Sequence, residues 1–162
     1  MASGSDEWKV WLEQHGRALV LLARQWAPCR ADAEDVVQEA FIRFWRNRAR
    51  VADPIAYLYS CVKHCALDAN RSHARRIKRE QATARPEAEA WFAGRLEQSE
   101  RRQAMQAALQ DLPESQREAV VMRIWGGLSF VQIGTALGIS PDTAASRYRY
   151  AMVRLRAELS GE

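Results

Sequence analysis

Residues 127–143, Gly-Leu-Ser-Phe-Val-Gln-Ile-Gly-Thr-Ala-Leu-Gly-Ile-Ser-Pro-Asp-Thr, constrain this chain most, because two helix starts and one helix stop crowd into them. Ser129 stands at an N-cap position with Gln132 three residues on, the spacing of a capping box, and Phe130, Ile133 and Leu137 recur at helical intervals. Gly138 stops that helix. A second start follows at once: the Ser140 hydroxyl can accept free amides, Pro141 suits the first helical position, and Asp142 favours the positive end of the helix dipole. Two helices joined so tightly cross steeply, and a steep crossing needs small residues where they touch. Gly134 and Ala144 are expected there, although a glycine inside the first helix should loosen it by up to ~1 kcal/mol against alanine. The pattern is a helix-turn-helix, whose second helix enters the major groove of DNA.

The second helix has the sidedness for that role. Tyr148, Met152, Leu155 and Leu159 form an apolar stripe for packing, while Thr143, Ser146, Arg147, Arg149 and Arg154 project elsewhere. From Pro141 to Arg156 there are four arginines and one acid. Arginine can bond phosphate or the acceptor edge of guanine, and Thr143 and Ser146 can approach bases near the helix start. An ordinary amphipathic helix with a solvated arginine face would show the same charges. It would not need the paired start signals around a glycine turn.

A chain of 162 residues has room for two small domains, and its net charge of +4 makes any nucleic-acid surface a local one. No apolar run is long enough to span a bilayer and residues 1–7 lack a signal-peptide core, so a cytoplasmic location is expected. Three cysteines, Cys29, Cys61 and Cys65, do not suggest a disulfide framework. β-branched clusters are sparse, and the expected fold class is all-α.

Helical periodicity covers Asp6 to Ala27 through Trp8, Trp11 or Leu12, His15, Leu19, Leu22 and Trp26, with Pro28 as the stop. Asp32 is the expected cap of a second helix that gathers Val36, Val37, Ala40, Phe41, Phe44 and Trp45 on one face. Its other face is acidic first (Glu34, Asp35, Glu39) and basic later (Arg43, Arg46). Asp53-Pro54 opens a third helix, which leads into the run from Arg71 to Arg79, where five basic residues occur without an acid. A basic run is often only a solvated helix end. Following a helix with aromatic side chains, it also fits a grip on phosphates and unpaired bases. Around residues 80–96 periodicity fades, as in a linker, although Trp91-Phe92 within it suggests a segment that docks. Helical spacing returns through Ala104, Met105, Ala108 and Leu109, and a further helix after Leu112-Pro113-Glu114 is expected to bury Ala119, Val120, Met122 and Ile124.

No constellation supports an enzyme, a cofactor or a metal. Cys61, His64 and Cys65 fall at i, i+3 and i+4, but a structural zinc site would need a fourth ligand and a second knuckle. There is no glycine-rich phosphate loop, no His-Glu-x-x-His and no nucleophile with an attendant base.

Asp-Ala-Glu-Asp-x-x-Gln-Glu at 32–39, Asp-Pro-x-x-Tyr-Leu-Tyr at 53–59, Leu-Pro-Glu-x-Gln-Arg-Glu at 112–118 and Gly-Leu-Ser at 127–129 occur in that order. On these motifs the chain resembles bacterial RNA polymerase sigma factors of the extracytoplasmic-function type, in the sigma-70 family. The resemblance implies a region 2-like domain at 1–79, a linker at 80–96 and a region 4-like helix-turn-helix domain at 97–162. It implies that Asp32, Asp35, Gln38, Glu39 and Arg43 dock on core RNA polymerase. Promoter DNA would be held at the melted minus-ten element by Tyr57, Lys63, His64, Asn70, Arg71, Arg75 and Arg76. The minus-thirty-five duplex would be read by Ser140, Thr143, Ala144, Ser146, Arg147, Arg149 and Arg154. An anti-sigma factor is implied as a further partner. The competing account from the residues alone is a stand-alone helix-turn-helix regulator, in which the acidic-to-aromatic helix around Asp35 and Phe44 has no purpose.

Overall fold

The computed structural model describes residues 4–80 and 100–161. The chain divides into two compact units, residues 1–88 and 89–162. The expected linker at 80–96, with Trp91 and Phe92, lies almost wholly outside the described residues. All regular structure among the described residues is helical.

The first unit contains α1 (Gly4–Ala23), α2 (Arg30–Asn47) and α3 (Pro54–Glu80). α2 packs against both α1 and α3. Phe44 is fully buried at the meeting point, with ring centroids 5.1 Å from Trp11, 6.2 Å from Tyr57, 6.3 Å from Phe41 and 6.4 Å from Trp45. Leu19, Leu22, Leu58, Tyr59 and Val62 complete the core. Of the two candidates on α1, Trp11 turns toward this cluster, whereas Leu12 is exposed.

The end of α1 and the start of α2 differ from the sequence pattern. α1 ends at Ala23 rather than Ala27, because the last turn tightens: Gln25 N–H bonds Leu22 O and Trp26 N–H bonds Ala23 O, three residues back. α2 begins at Arg30 behind an extended Cys29, which makes no side-chain cap. Asp32 is therefore not the cap but a first-turn acid, where the helix dipole still favours it. Asp53 does cap α3, its Oδ1 accepting from Ala56 N–H at 3.1 Å. From there α3 runs unbroken to Glu80, so the basic run continues on a helix.

His15 is buried and its Nδ1 lies 3.0 Å from the Tyr59 hydroxyl, tying α1 to α3. Burial lowers the His15 pKa below its usual 6.5 and raises that of Tyr59 above the usual phenol range. Below pH 6.5 the unfolded chain therefore binds a proton at His15 that the folded chain refuses. Stability is full above that pH and falls as pH drops through the lowered folded value. The melting temperature of the first unit is expected to fall between about pH 7 and pH 5, and His15→Gln, which keeps an amide partner for Tyr59 but cannot titrate, should flatten that part of the profile.

The second unit contains α4 (Glu100–Asp111), α5 (Glu114–Val120), α6 (Phe130–Leu137) and α7 (Pro141–Leu159). α7 is the hub and packs against α4, α5 and α6. Ala108, Leu109, Leu112, Val120, Ala151 and Leu155 form the core, with Met105, Trp125, Tyr148 and Met152 around it. Leu159, expected on the packing stripe, is exposed in the last turn of α7. After Val120 the helix widens into a π turn, with Gly126 N–H reaching Val121 O five residues back at 3.1 Å. The inserted residue rotates the buried face. Val121 and Met122 point inward, and Ile124, expected inside, is 48% exposed.

The helix-turn-helix forms as its signals require. Ser129 Oγ accepts from Gln132 N–H and Gln132 Oε1 accepts from Ser129 N–H, which completes the capping box. Gly138 takes φ +68°, a left-handed conformation that favours glycine. Ser140 Oγ caps α7 by accepting from Thr143 N–H at 3.1 Å. Ser140→Ala is expected to lower stability by ~1 kcal/mol, read as an earlier melting transition, since that amide loses its acceptor.

Gly134 makes the close contact expected of it, against the turn and the first residue of α7. A Cβ there would stand 2.7 Å from the Ile139 carbonyl oxygen and 3.3 Å from the Pro141 nitrogen. The turn folds back onto α6 so closely that it bonds Gly134 O through Ile139 N–H at 2.9 Å. Glycine at 134 is what lets the turn close, so alanine would not tighten the helix but push the turn away.

Candidate nucleic-acid interface

In the first unit, α2 and α3 expose two surfaces of opposite character. A cleft of about 270 Å³ is lined by Asp32, Asp35 and Glu39 on α2, by Ala66, Ala69, Asn70 and Ser72 on α3, and by Trp26, Ala27 and Pro28 before α2. Glu39 is bonded by Arg43 at 3.0 Å. Asp32 and Asp35 are exposed, and neither has a cationic partner among the described residues. Three carboxylates on one cleft form a local negative field that repels phosphate and attracts a basic side chain. Asn70, grouped with the minus-ten set on sequence, opens onto this acidic cleft, away from His64.

The second surface is a strip along α3. Tyr57, Ser60, His64, Asp68 and Arg71 recur every three or four residues, so they lie one above another. Tyr57 is half-buried; its hydrogen bond to Cys61, followed by partial burial, keeps its hydroxyl protonated above the ordinary phenol value. His64 Nδ1 lies 2.8 Å from the Ser60 carbonyl oxygen. Arg71 is exposed and lies 4.0 Å from Asp68, which also faces Arg43 at 3.9 Å. Lys63 is half-buried beside the strip. The side chains of Arg75 and Arg76 lie outside the described residues; their backbone continues α3. Cys61 and Cys65 face the core, where burial raises both thiols, while His64 faces solvent, so the three do not converge. No group of His, Cys, Asp and Glu among the described residues could hold a metal ion.

In the second unit, α7 exposes Thr143, Arg149 and Arg154 and leaves Ser146 and Arg147 half-buried. Ser140 gives its hydroxyl proton to Thr143 Oγ1 at 2.9 Å while its oxygen caps the helix, so it is already committed. The proton of Thr143 remains to donate. Arg149 bonds Ser146 Oγ at 3.2 Å, which holds both on one ridge. Ala144 is 0% exposed and is corrected from a DNA contact to a packing residue.

Sequence reasoning missed several surface groups. Tyr150, 62% exposed, stands four residues from both Ser146 and Arg154 on the same ridge, and Val153 is exposed beside it. Their signal was a one-turn offset from the polar residues: Tyr150 stands one turn from Ser146 and from Arg154. Asp68 was missed because its partners sit on two helices. An exposed apolar patch of Trp8, Phe41, Ile42 and Trp45 adjoins Arg46, at the end of α2 distant from the acidic cleft.

A helix-turn-helix unit on the same chain as a helical unit with an acidic cleft and a polar, aromatic strip defines a two-module DNA-binding protein of transcription. Residues 11–76 match the family described as Sigma-70 region 2 and residues 102–155 the one described as Sigma-70, region 4. The chain is 33% identical over 147 residues to the ECF RNA polymerase sigma factor SigM of Mycobacterium tuberculosis, covering 88% of this chain and 71% of SigM. It is also 33% identical over 161 residues to SigJ of the same species, covering 93% of this chain but only 51% of that longer relative. The crystal structure of the sigma factor RpoE in complex with the anti-sigma factor NepR, from Bartonella quintana, matches with a TM-score of 0.70 at 22% identity over 95% of this chain and 97% of that one, which establishes a shared fold. The chain belongs to the extracytoplasmic-function RNA polymerase sigma factors of the sigma-70 family. Sigma factors act in transcription initiation, and the stand-alone regulator is not favoured.

Proposed function

We propose that the two units divide promoter recognition between them. The first unit docks on core RNA polymerase through the acidic cleft of α2 and holds the unpaired minus-ten strand along Tyr57, His64 and Arg71 of α3. The second reads the minus-thirty-five element as duplex through Thr143, Ser146, Arg147, Arg149 and Arg154 of α7. The observation that carries this reading is the unpartnered acidity of Asp32 and Asp35 beside Glu39 on a single cleft. Such a surface opposes DNA and suits a basic protein partner, which gives α2 a purpose that a DNA reader alone would lack.

The strip on α3 supports the second part. It offers an aromatic ring, an imidazole and a guanidinium at one-turn spacing, which fits stacking, hydrogen bonding and phosphate contact with a single strand. An anti-sigma protein is a further proposed partner, in line with the complex described for the Bartonella protein. A cytoplasmic place of action fits as well, since no described helix is long and apolar enough to cross a membrane. The test is run-off transcription from genomic fragments with core polymerase, with and without this protein. New start sites that share two spaced sequence elements are the expected result; no added start sites would refute the proposal.

A further inference from the structure

We propose that the solvent face of α7 is a docking surface for an acidic amphipathic helix of a partner protein, which covers the DNA-reading ridge and so excludes the minus-thirty-five duplex. The docking stands on the face itself; only the competition with DNA rests on the function proposed above. Thr143, Ser146, Tyr150, Val153 and Ala157 follow one another at alternating spacings of three and four residues, so they form a single stripe along α7. The first two are small and polar and suit an approach to bases near the helix start. Beyond them the stripe turns apolar: Tyr150 is 62% and Val153 60% exposed, and Ala157 is exposed as well. A phosphate backbone offers Val153 nothing to bury against, whereas the apolar face of a helix does.

Arginines border this stripe on both sides. Arg147 and Arg154 run along one edge and Arg149 and Arg156 along the other, the members of each pair seven residues apart. In heptad terms the stripe occupies positions a and d, and the four arginines occupy e and g, the positions whose charges choose the partner of a paired helix. None of the four has a carboxylate partner among the described residues. A second copy of α7 is a poor occupant, because arginine would face arginine whichever way the two helices ran. A helix with apolar residues at a and d and acids at e and g would instead bury Tyr150 and Val153 and meet all four arginines with carboxylates. The stripe from Thr143 to Ala157 is about 21 Å long. A helix lying along it covers Thr143, Ser146, Arg147 and Arg149, so it and the duplex cannot be bound at once.

The experiment uses the full chain and three synthetic peptides of three heptads each. The first has Leu at a and d and Glu at e and g; the second keeps Glu but has Ser at a and d; the third keeps Leu but has Lys at e and g. Binding of labelled peptide is read by fluorescence anisotropy, and the same peptides are added to abortive initiation by reconstituted holoenzyme at a promoter found by start-site mapping. The Leu/Glu peptide is expected to bind wild type roughly 10-fold or more tighter than either of the others, and Tyr150→Ser with Val153→Ser should weaken it roughly 10-fold. That double variant changes only exposed side chains; it should initiate as wild type does without peptide and resist inhibition by the Leu/Glu peptide. Equal binding of the Leu/Glu and Ser/Glu peptides, or equal binding by wild type and the double variant, would overturn the docking surface. Binding without inhibition would overturn the exclusion of DNA. Slower initiation by the double variant without peptide would assign the stripe to DNA, and a wild-type dimer that the double variant does not form would assign it to a second copy. If holoenzyme initiates nowhere, the sigma-factor reading of this chain fails, while peptide binding still judges the docking surface.

Discussion

Lysine at both positions 35 and 39 is expected to abolish binding to core RNA polymerase and all promoter-dependent transcription, while the protein stays folded. Asp35 and Glu39 are exposed on one side of α2, and with Asp32 they line the same cleft. Neither side chain contributes to the core around Phe44, so the change to stability should stay within about 0.5 kcal/mol per site, as for most surface substitutions. The effect at the interface is far larger. Asp35 has no cation beside it to soften its field, and Glu39 shares Arg43 with Asp68. A basic partner that met carboxylates would now meet ammonium groups, and like charges brought together cost several kcal/mol, which corresponds to at least ~100-fold in affinity. Glu34→Lys is the matched control: Glu34 is equally exposed and acidic, bonds Arg30 at 2.9 Å and is not among the residues lining the cleft. Pull-down of purified core polymerase by each variant decides the matter. If the double variant binds as wild type does, the docking surface lies elsewhere, and the apolar patch at Trp8, Ile42 and Trp45 becomes the first place to look.

What could be read from the sequence was set by how local each determinant is. Ser129, Gln132, Gly138 and Ser140 act within three or four residues of themselves, and the structure shows each cap or turn where its spacing puts it. Asp53 is legible for the same reason. Ile124 was not, because a π turn shifts the buried face without any mark in the hydrophobic spacing. Ala144 fails as a DNA contact for a reason specific to carrying roles over by position: such a transfer keeps the residue number but knows nothing of burial. Asp68 engages Arg43 on α2 and Arg71 on its own helix, and only the packing of α2 on α3 brings the first of these within 3.9 Å. His64 shows the finest grain of all: its place on α3 was visible, but its contact with the Ser60 carbonyl oxygen was not.

Gly134→Val is expected to disable the second unit and leave the first intact. The added Cβ would fall 2.7 Å from the Ile139 carbonyl oxygen, a backbone atom that cannot swing aside as a side-chain tip would. Relief requires the turn from Gly138 to Ser140 to lift off α6. That movement loses the bond from Ile139 N–H to Gly134 O and disturbs the Ser140 cap, so the cost is ~2–3 kcal/mol or more, beyond ordinary overpacking. Because α7 is the hub of its unit, displacing its start also loosens the contacts of Ala144, and the ridge bearing Thr143, Arg147 and Arg149 loses its angle to the rest. Hydrogen exchange on the full chain should show protection lost in α6 and at the start of α7, and retained in α1, α2 and α3. Two functional readouts should separate in the same way. Binding to core polymerase, assigned to the cleft on α2, persists; initiation at promoters that depend on the minus-thirty-five element fails. Gly134→Ala meets the same carbonyl with a smaller group and should fall between wild type and valine. If alanine instead raised stability, as glycine-to-alanine changes in helix interiors usually do by roughly 0.5–1 kcal/mol, the close approach of the turn would not be what fixes glycine at this position.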